Sequence, residues 1–141
     1  MKNYRLEALD TYQLSMQLAD DIWNLVLKWN YLALDTMGKQ IIRSADSIAA
    51  TISEGYGRYY FKDNKRFCYY SWGSILETKT WLNKANQRKL IPDKLYQEYI
   101  NRLESIHKKL NAYMKYIGKI ESDSTESSPA LTDEPLKPTD Q

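Results

Sequence analysis

A chain of 141 residues, 43% hydrophobic and 27% charged, has room for one continuous core and not for two ordinary domains. Its single cysteine, Cys68, excludes an intrachain disulfide, the start Met1-Lys2-Asn3-Tyr4 lacks the apolar stretch of a signal peptide, and charges interrupt every window long enough to span a bilayer, so a cytoplasmic protein without a membrane segment is expected. The net charge of +2 hides an asymmetry: residues 1–119 hold 19 bases against 12 acids, a net +7, whereas residues 120–141 hold six acids and one base, a net −5.

Three of the four prolines fall in the last thirteen residues, which leaves the body almost free of helix breakers. Leu18, Ile22, Leu25, Val26 and Trp29 recur at three- and four-residue spacing and predict a first helix over about 10–29. Leu34, Met37, Ile41, Ala45, Ile48 and Ile52, widened by Ile42, Ala49 and Tyr56, predict a second and central helix over about 34–58. Asp63 reads as an N-cap for a third helix over about 63–89, with a face of Phe67, Tyr70, Ser74, Trp81 and Ala85. Pro92 then opens a fourth helix over about 92–118, whose Tyr96, Tyr99, Leu103, Ile106, Leu110, Tyr113 and Ile117 form a heptad seam, with Gly118 as its expected stop. No period-2 pattern competes, and the expected fold is all-α: an antiparallel up-down-up-down four-helix bundle over 1–119, followed by an acidic tail over 120–141. That tail, rich in Ser, Asp and Pro and without an aromatic residue, is expected to be disordered.

Two neighbouring polar stripes stand out. Arg43, Ser47, Ala50 and Glu54 repeat every three or four residues on the second helix, and Arg66, Tyr70, Gly73 and Glu77 do the same on the third. Helices folded back about Tyr60 bring together residues whose numbers sum to about 120, because both rise equally per residue. That register predicts Arg43–Glu77 and Glu54–Arg66 ion pairs flanking a close crossing of Ser47 and Ala50 with Gly73 and Tyr70. A catalytic use of Glu54 and Glu77 as acid and base is disfavoured, since an arginine facing each would hold it ionised.

The run Gln40-Ile41-Ile42-Arg43-Ser44-Ala45-Asp46-Ser47-Ile48-Ala49-Ala50-Thr51-Ile52-Ser53-Glu54-Gly55-Tyr56-Gly57-Arg58, with Phe67 and then Gly73-Ser74-x-x-Glu77, resembles a bacterial four-helix bundle family that includes proteins encoded in intervening sequences of 23S ribosomal RNA genes. It is also similar to the accessory variability protein of diversity-generating retroelements. The resemblance covers the second and third helices through Ile91, about half the body. It implies a homopentamer of four-helix protomers arranged as a barrel, a basic surface for RNA or DNA or for a reverse transcriptase-like protein, and no enzymatic activity. Where that family commonly has an arginine before the Gly-Ser pair this chain has Trp72, a residue suited to a subunit interface.

Gly55-Tyr56-Gly57 follows a helix and lacks a third glycine, so it reads as a helix end and not as a phosphate loop. His107 and Cys68 each stand alone, Asp20-Asp21 reads as a charged face, and no cofactor or metal is expected. The stretch Arg58-Tyr59-Tyr60-Phe61-Lys62-Asp63-Asn64-Lys65-Arg66 interleaves bases with aromatics. Arg58, Lys62, Lys65 and Arg66 are candidates to neutralise phosphates, and Tyr59 and Tyr60 to stack on unpaired bases. The same residues also fit a hairpin that caps the core, or a contact between protomers. Two functions remain open at this level: a self-assembling bundle that presents basic surface to nucleic acid, and a structural oligomer or protein adaptor without nucleic-acid affinity.

Overall fold

The computed structural model describes residues 4–127, and the calls on 128–141 lie outside the described residues. Four long helices run α1 Asp10–Val26, α2 Lys39–Tyr56, α3 Phe61–Gln87 and α4 Asp93–Ser127, and no strand forms among the described residues. Each helix packs on the next and α4 closes back on α1, which leaves α1 and α3 diagonally opposed. This is the expected four-helix bundle.

The core follows the helical periodicity. Leu18, Ile22 and Val26 of α1 meet Ile41, Ala45, Ile48 and Ile52 of α2, Ile75, Leu82 and Ala85 of α3, and Tyr99, Leu103, Ile106, Leu110, Tyr113 and Ile117 of α4. Burying each of the large aliphatic side chains contributes about 1.5–3 kcal/mol. Ion pairs tie the outer edges: Arg102 to Asp21 at 2.7 Å between α4 and α1, and Lys79 to Glu104 at 3.7 Å between α3 and α4.

Helix boundaries differ from the periodic reading where local hydrogen bonding decides them. Helix α1 ends at Val26, three residues short of Trp29, in a turn that Asn30 converts into the next start: its side chain accepts from the Ala33 amide at 3.0 Å. A helical turn at Tyr31–Ala33 and a π-helical turn at Leu34–Gly38 then lead into α2. Gly38 is needed there, because a Cβ would lie 2.8 Å from Val26 Cγ1. Asp63 does not cap α3. It is the third residue of a helix that begins at Phe61 with no side-chain cap, and it pairs with Arg66 at 3.0 Å. Gly118 does not stop α4, which continues to Ser127 with Gly118 against the Phe61 ring.

The α3–α4 connection closes in a Schellman turn: the Leu90 amide reaches Ala85 O at 2.8 Å and the Lys89 amide reaches Asn86 O at 3.0 Å. Lys89 takes φ 62°, the left-handed conformation that such turns ordinarily give to glycine. Asn86 then donates to Asp93 Oδ1 at 2.8 Å and pins the start of α4, one residue after Pro92.

The α2–α3 crossing keeps the expected register and turns a different stripe inward. Thr78 donates to Ser44 at 2.9 Å and Thr51 and Ser71 share a hydrogen bond at 2.6 Å; both pairs sum to 122. Gly55 closes the row, since a Cβ there would lie 2.6 Å from Asn64 Oδ1 and 2.9 Å from Phe67 Cβ. Arg43, Ala50 and Glu54 instead stay exposed on α2, as do Tyr70, Gly73 and Glu77 on α3, and a Cβ on Gly73 would meet nothing within 4 Å. The Arg43–Glu77 and Glu54–Arg66 ion pairs do not form: Arg43 donates to Gln40, Trp81 donates to Glu77, and Arg66 pairs with Asp63. The physical reason is desolvation. Hydroxyls satisfied by neighbouring oxygens bury cheaply, whereas two ion pairs at a close crossing would lose water on every side.

Candidate nucleic-acid interface

The α2–α3 connection puts the basic, aromatic stretch at one end of the bundle. Helix α2 ends at Tyr56, and Arg58 follows on the surface with its guanidinium 4.7 Å from the centre of the Phe67 ring. Tyr59 is 82% exposed and meets Tyr60 edge to face at 4.7 Å, a rigid pair with one ring open to solvent. Lys62 is exposed in the first turn of α3. The first-turn amides of that helix carry its positive end, so the bases surround a site already favourable to anions.

Not all six candidates point the same way. Lys65 lays its stem across two rings, with Nζ 5.8 Å from the centre of Phe61 and 5.9 Å from that of Tyr69. Arg66 is half-buried and turned toward the carboxylate of Asp63, which offsets part of its charge. Arg58, Tyr59 and Lys62 therefore form the outward part of the site, with Tyr60, Lys65 and Arg66 as its frame.

A cluster of tyrosines forms the floor beneath this end. The Tyr4 and Tyr113 hydroxyls share a hydrogen bond at 2.9 Å, Asn64 donates to Tyr113 at 3.2 Å, and Tyr56 donates to the Tyr4 carbonyl at 2.7 Å. Burial raises the pKa of both Tyr4 and Tyr113; at Tyr4 the hydrogen bond to Tyr113 adds to the rise, and at Tyr113 the bonds to Asn64 and Tyr4 partly offset it. Both hydroxyls stay protonated at neutral pH. Tyr4 is thereby fastened under the basic end, a role that periodicity could not reveal because it precedes the first helical repeat. The continuation of α4 past Phe61, beyond the stop expected at Gly118, also brings Lys119 to this end.

Other singled-out residues lie elsewhere. Trp72 is half-way along α3, its ring 5.3 Å from that of His107 on α4. Glu54 and Glu77 sit on the exposed faces of α2 and α3. Cys68 is buried, and burial pushes its thiol up to about 12, so it holds its proton at neutral pH. Among the described residues no group of three His, Cys, Asp or Glu side chains is placed to hold a metal ion, and no helix is long and apolar enough to cross a membrane.

Residues 7–112, which take in α1, α2, α3 and most of α4, match the family model described as 23S rRNA-intervening sequence protein. The chain belongs to that family. A solved structure with the same fold is that of a protein of unknown function from the S23 ribosomal protein family of Bacteroides thetaiotaomicron. It is 25% identical and superposes with a TM-score of 0.67, over 74% of this chain and 98% of that one. No curated protein matches the chain. The matched span confirms the family resemblance carried by the α2–α3 hairpin and extends it to the terminal helices of this 23S rRNA-intervening sequence family member.

Proposed function

We propose that this member of the 23S rRNA-intervening sequence family is a non-enzymatic, cytoplasmic, self-assembling bundle that presents its α2–α3 end to RNA or DNA. The observation that carries the reading is the exposed Tyr59 ring beside Arg58 and Lys62 at the uncapped start of α3. Bases there neutralise phosphates while the ring offers a face to an unpaired base. Membership of the similar Bacteroides thetaiotaomicron protein in the S23 ribosomal protein family supports an RNA partner. The resemblance to retroelement accessory proteins supports assembly as a homopentamer, with a reverse transcriptase-like protein as a second class of partner. The buried, protonated Cys68 argues only against a thiolate nucleophile at that position.

A second reading, a structural oligomer or adaptor without nucleic-acid affinity, is favoured by Lys65, whose stem covers Phe61 and Tyr69 as a cap on apolar surface. Titration of labelled single-stranded and structured RNA at 50 and 200 mM salt separates the two. The first reading expects affinity to fall at least about tenfold with salt and to be lost in Arg58→Glu/Lys62→Glu. Full binding by that variant refutes the site. No binding by the native chain leaves the structural reading.

A further inference from the structure

Helix α4 leaves the bundle at the end that carries the basic, aromatic site. Gly118 lies against the ring of Phe61, the first residue of α3, where a Cβ would come 3.3 Å from Phe61 Cζ. Residues 119–127 then carry α4 about 13 Å beyond that level at 1.5 Å per residue. The acids of the last part of the chain begin there: Glu121 is exposed, and Asp123 and Glu126 follow on the same stretch of helix. Residues 128–141 add Asp133, Glu134 and Asp140 against the single base Lys137. The chain thus leads its acidic part, net −5 over 120–141, out beside Arg58, Tyr59 and Lys62. All of it lies past residue 112, where the family match stops.

Length decides which acids can come back to that surface. The way from Ser127 to Lys62 is about 13 Å along the bundle and about 8–10 Å across it, the spacing of packed helices, or about 16 Å in a straight line. At about 3.3 Å per extended residue, Asp133 reaches about 20 Å from Ser127 and Glu134 about 23 Å, so this pair arrives with slack to spare. Residues 128–132 carry no acid and supply the span. Composition matches as well as reach. Leu131 and Leu136 bracket Asp133-Glu134, which sets two carboxylates between two apolar side chains. The surface sets two exposed cations, Arg58 and Lys62, around a ring that is 82% exposed, that of Tyr59. The two are complementary in charge and in apolar character. A segment tethered this close is present at an effective concentration in the millimolar range, which makes a weak contact count.

We propose that segment 131–136 docks on the α2–α3 end of its own chain, Asp133 and Glu134 on Lys62 and Arg58 with Leu131 and Leu136 against Tyr59, and competes there with nucleic acid. The inference rests on the nucleic-acid reading above and adds its regulation. Docked carboxylates occupy the cations that phosphates would take, so a nucleic acid must displace the segment to bind. Ion pairs at the surface are weak and screened by salt. The segment therefore raises the threshold for binding without abolishing it.

The test uses full-length chains and two measurements. Zero-length carbodiimide coupling joins a carboxylate to an amine only where they touch, and mass spectrometry on a mixture of unlabelled and heavy-isotope chains separates coupling within a chain from coupling between chains. Asp133 or Glu134 is expected to couple to Lys62 of the same chain. Labelled single-stranded RNA is then titrated at 50 mM salt against the native chain, Asp133→Asn/Glu134→Gln and Leu131→Ser/Leu136→Ser. All four positions lie past Ile117, the last buried residue of the core, so both variants should keep the native melting curve. Each should bind RNA at least about threefold tighter than the native chain, with the difference shrinking at 200 mM salt. The leucine variant keeps every charge, so its gain cannot come from lower overall repulsion. Absence of coupling to Lys62, or coupling only between chains, overturns the docking. RNA binding by the native chain that neither variant improves overturns the competition and leaves the nucleic-acid reading standing. A gain confined to the charge-neutralised variant assigns the effect to general repulsion and also counts against the proposal. Binding by none of the three chains overturns the nucleic-acid reading itself, and the competition with it.

Discussion

Thr51 and Ser71 meet across the α2–α3 crossing with their hydroxyl oxygens 2.6 Å apart, one turn from where Gly55 lies against Asn64 and Phe67. The Ser71 hydroxyl also lies 3.3 Å from the Ile48 carbonyl, so the pair joins side chains to backbone as well as helix to helix. This row, and not the arginine-bearing stripe beside it, sets how closely the two helices approach.

The crossing makes opposite predictions for two glycines. Gly55→Ala would place a methyl group 2.6 Å from Asn64 Oδ1 and 2.9 Å from Phe67 Cβ. The loss is expected to be about 1–3 kcal/mol even though alanine favours helix. Gly73→Ala meets nothing within 4 Å and should gain about 1 kcal/mol from helix propensity alone. Chemical denaturation of both variants at one protein concentration measures the signs. Equal destabilisation by the two would mean that Gly73 also lies at a close contact.

Lys89 offers a stabilising change. It holds φ 62° in the turn after α3 and is exposed, so Lys89→Gly relieves a left-handed backbone without removing packing. A gain of about 1 kcal/mol is expected, with the melting temperature rising by a few degrees. Lys89→Ala should gain nothing, because alanine carries the same Cβ, and a gain as large as that of glycine would show that the lysine charge and not the backbone is the source.

Alkaline pH should loosen the fold through its buried thiol and phenols. Burial moves the Cys68 thiol from 9.0 in the unfolded chain to about 12 in the fold, and it raises Tyr4 and Tyr113 above 10.0. A raised folded pKa means that the fold holds the proton more tightly than the unfolded chain. The contribution is complete below about pH 9 and is lost as pH climbs through 9–12. Denaturation midpoints measured between pH 7 and 10.5 should be level at first and then fall, with a shallower fall in Cys68→Ala/Tyr113→Phe. An unchanged slope in that variant would show that other groups govern the alkaline loss.

Much of this was readable from spacing. The heptad of α4 from Tyr99 to Ile117 is buried as expected, because which residues share a face of one helix depends only on its 3.6-residue turn. The register of α2 on α3 was readable for a similar reason, equal rise on both sides of one short connection, and it came out at 122 against an expected 120. The basic aromatic stretch was legible as composition. Its division into an outward Arg58, Tyr59 and Lys62 and an inward Lys65 and Arg66 was not, since that depends on Phe61, Tyr69 and Asp63 being within reach.

The sequence by itself determined four amphipathic helices, their order, their seams and the family, all of which follow from local periodicity and short connections. Only the tertiary structure decided how α2 and α3 are rotated about their own axes. Ser44, Thr51 and Gly55 lie about 100° around the helix from Arg43, Ala50 and Glu54, both stripes carry small residues, and the choice between them is made by desolvation across the whole core. The same closure put the exposed Trp23 of α1 and Trp72 of α3 on diagonally opposed helices, a relationship that exists in neither helix alone.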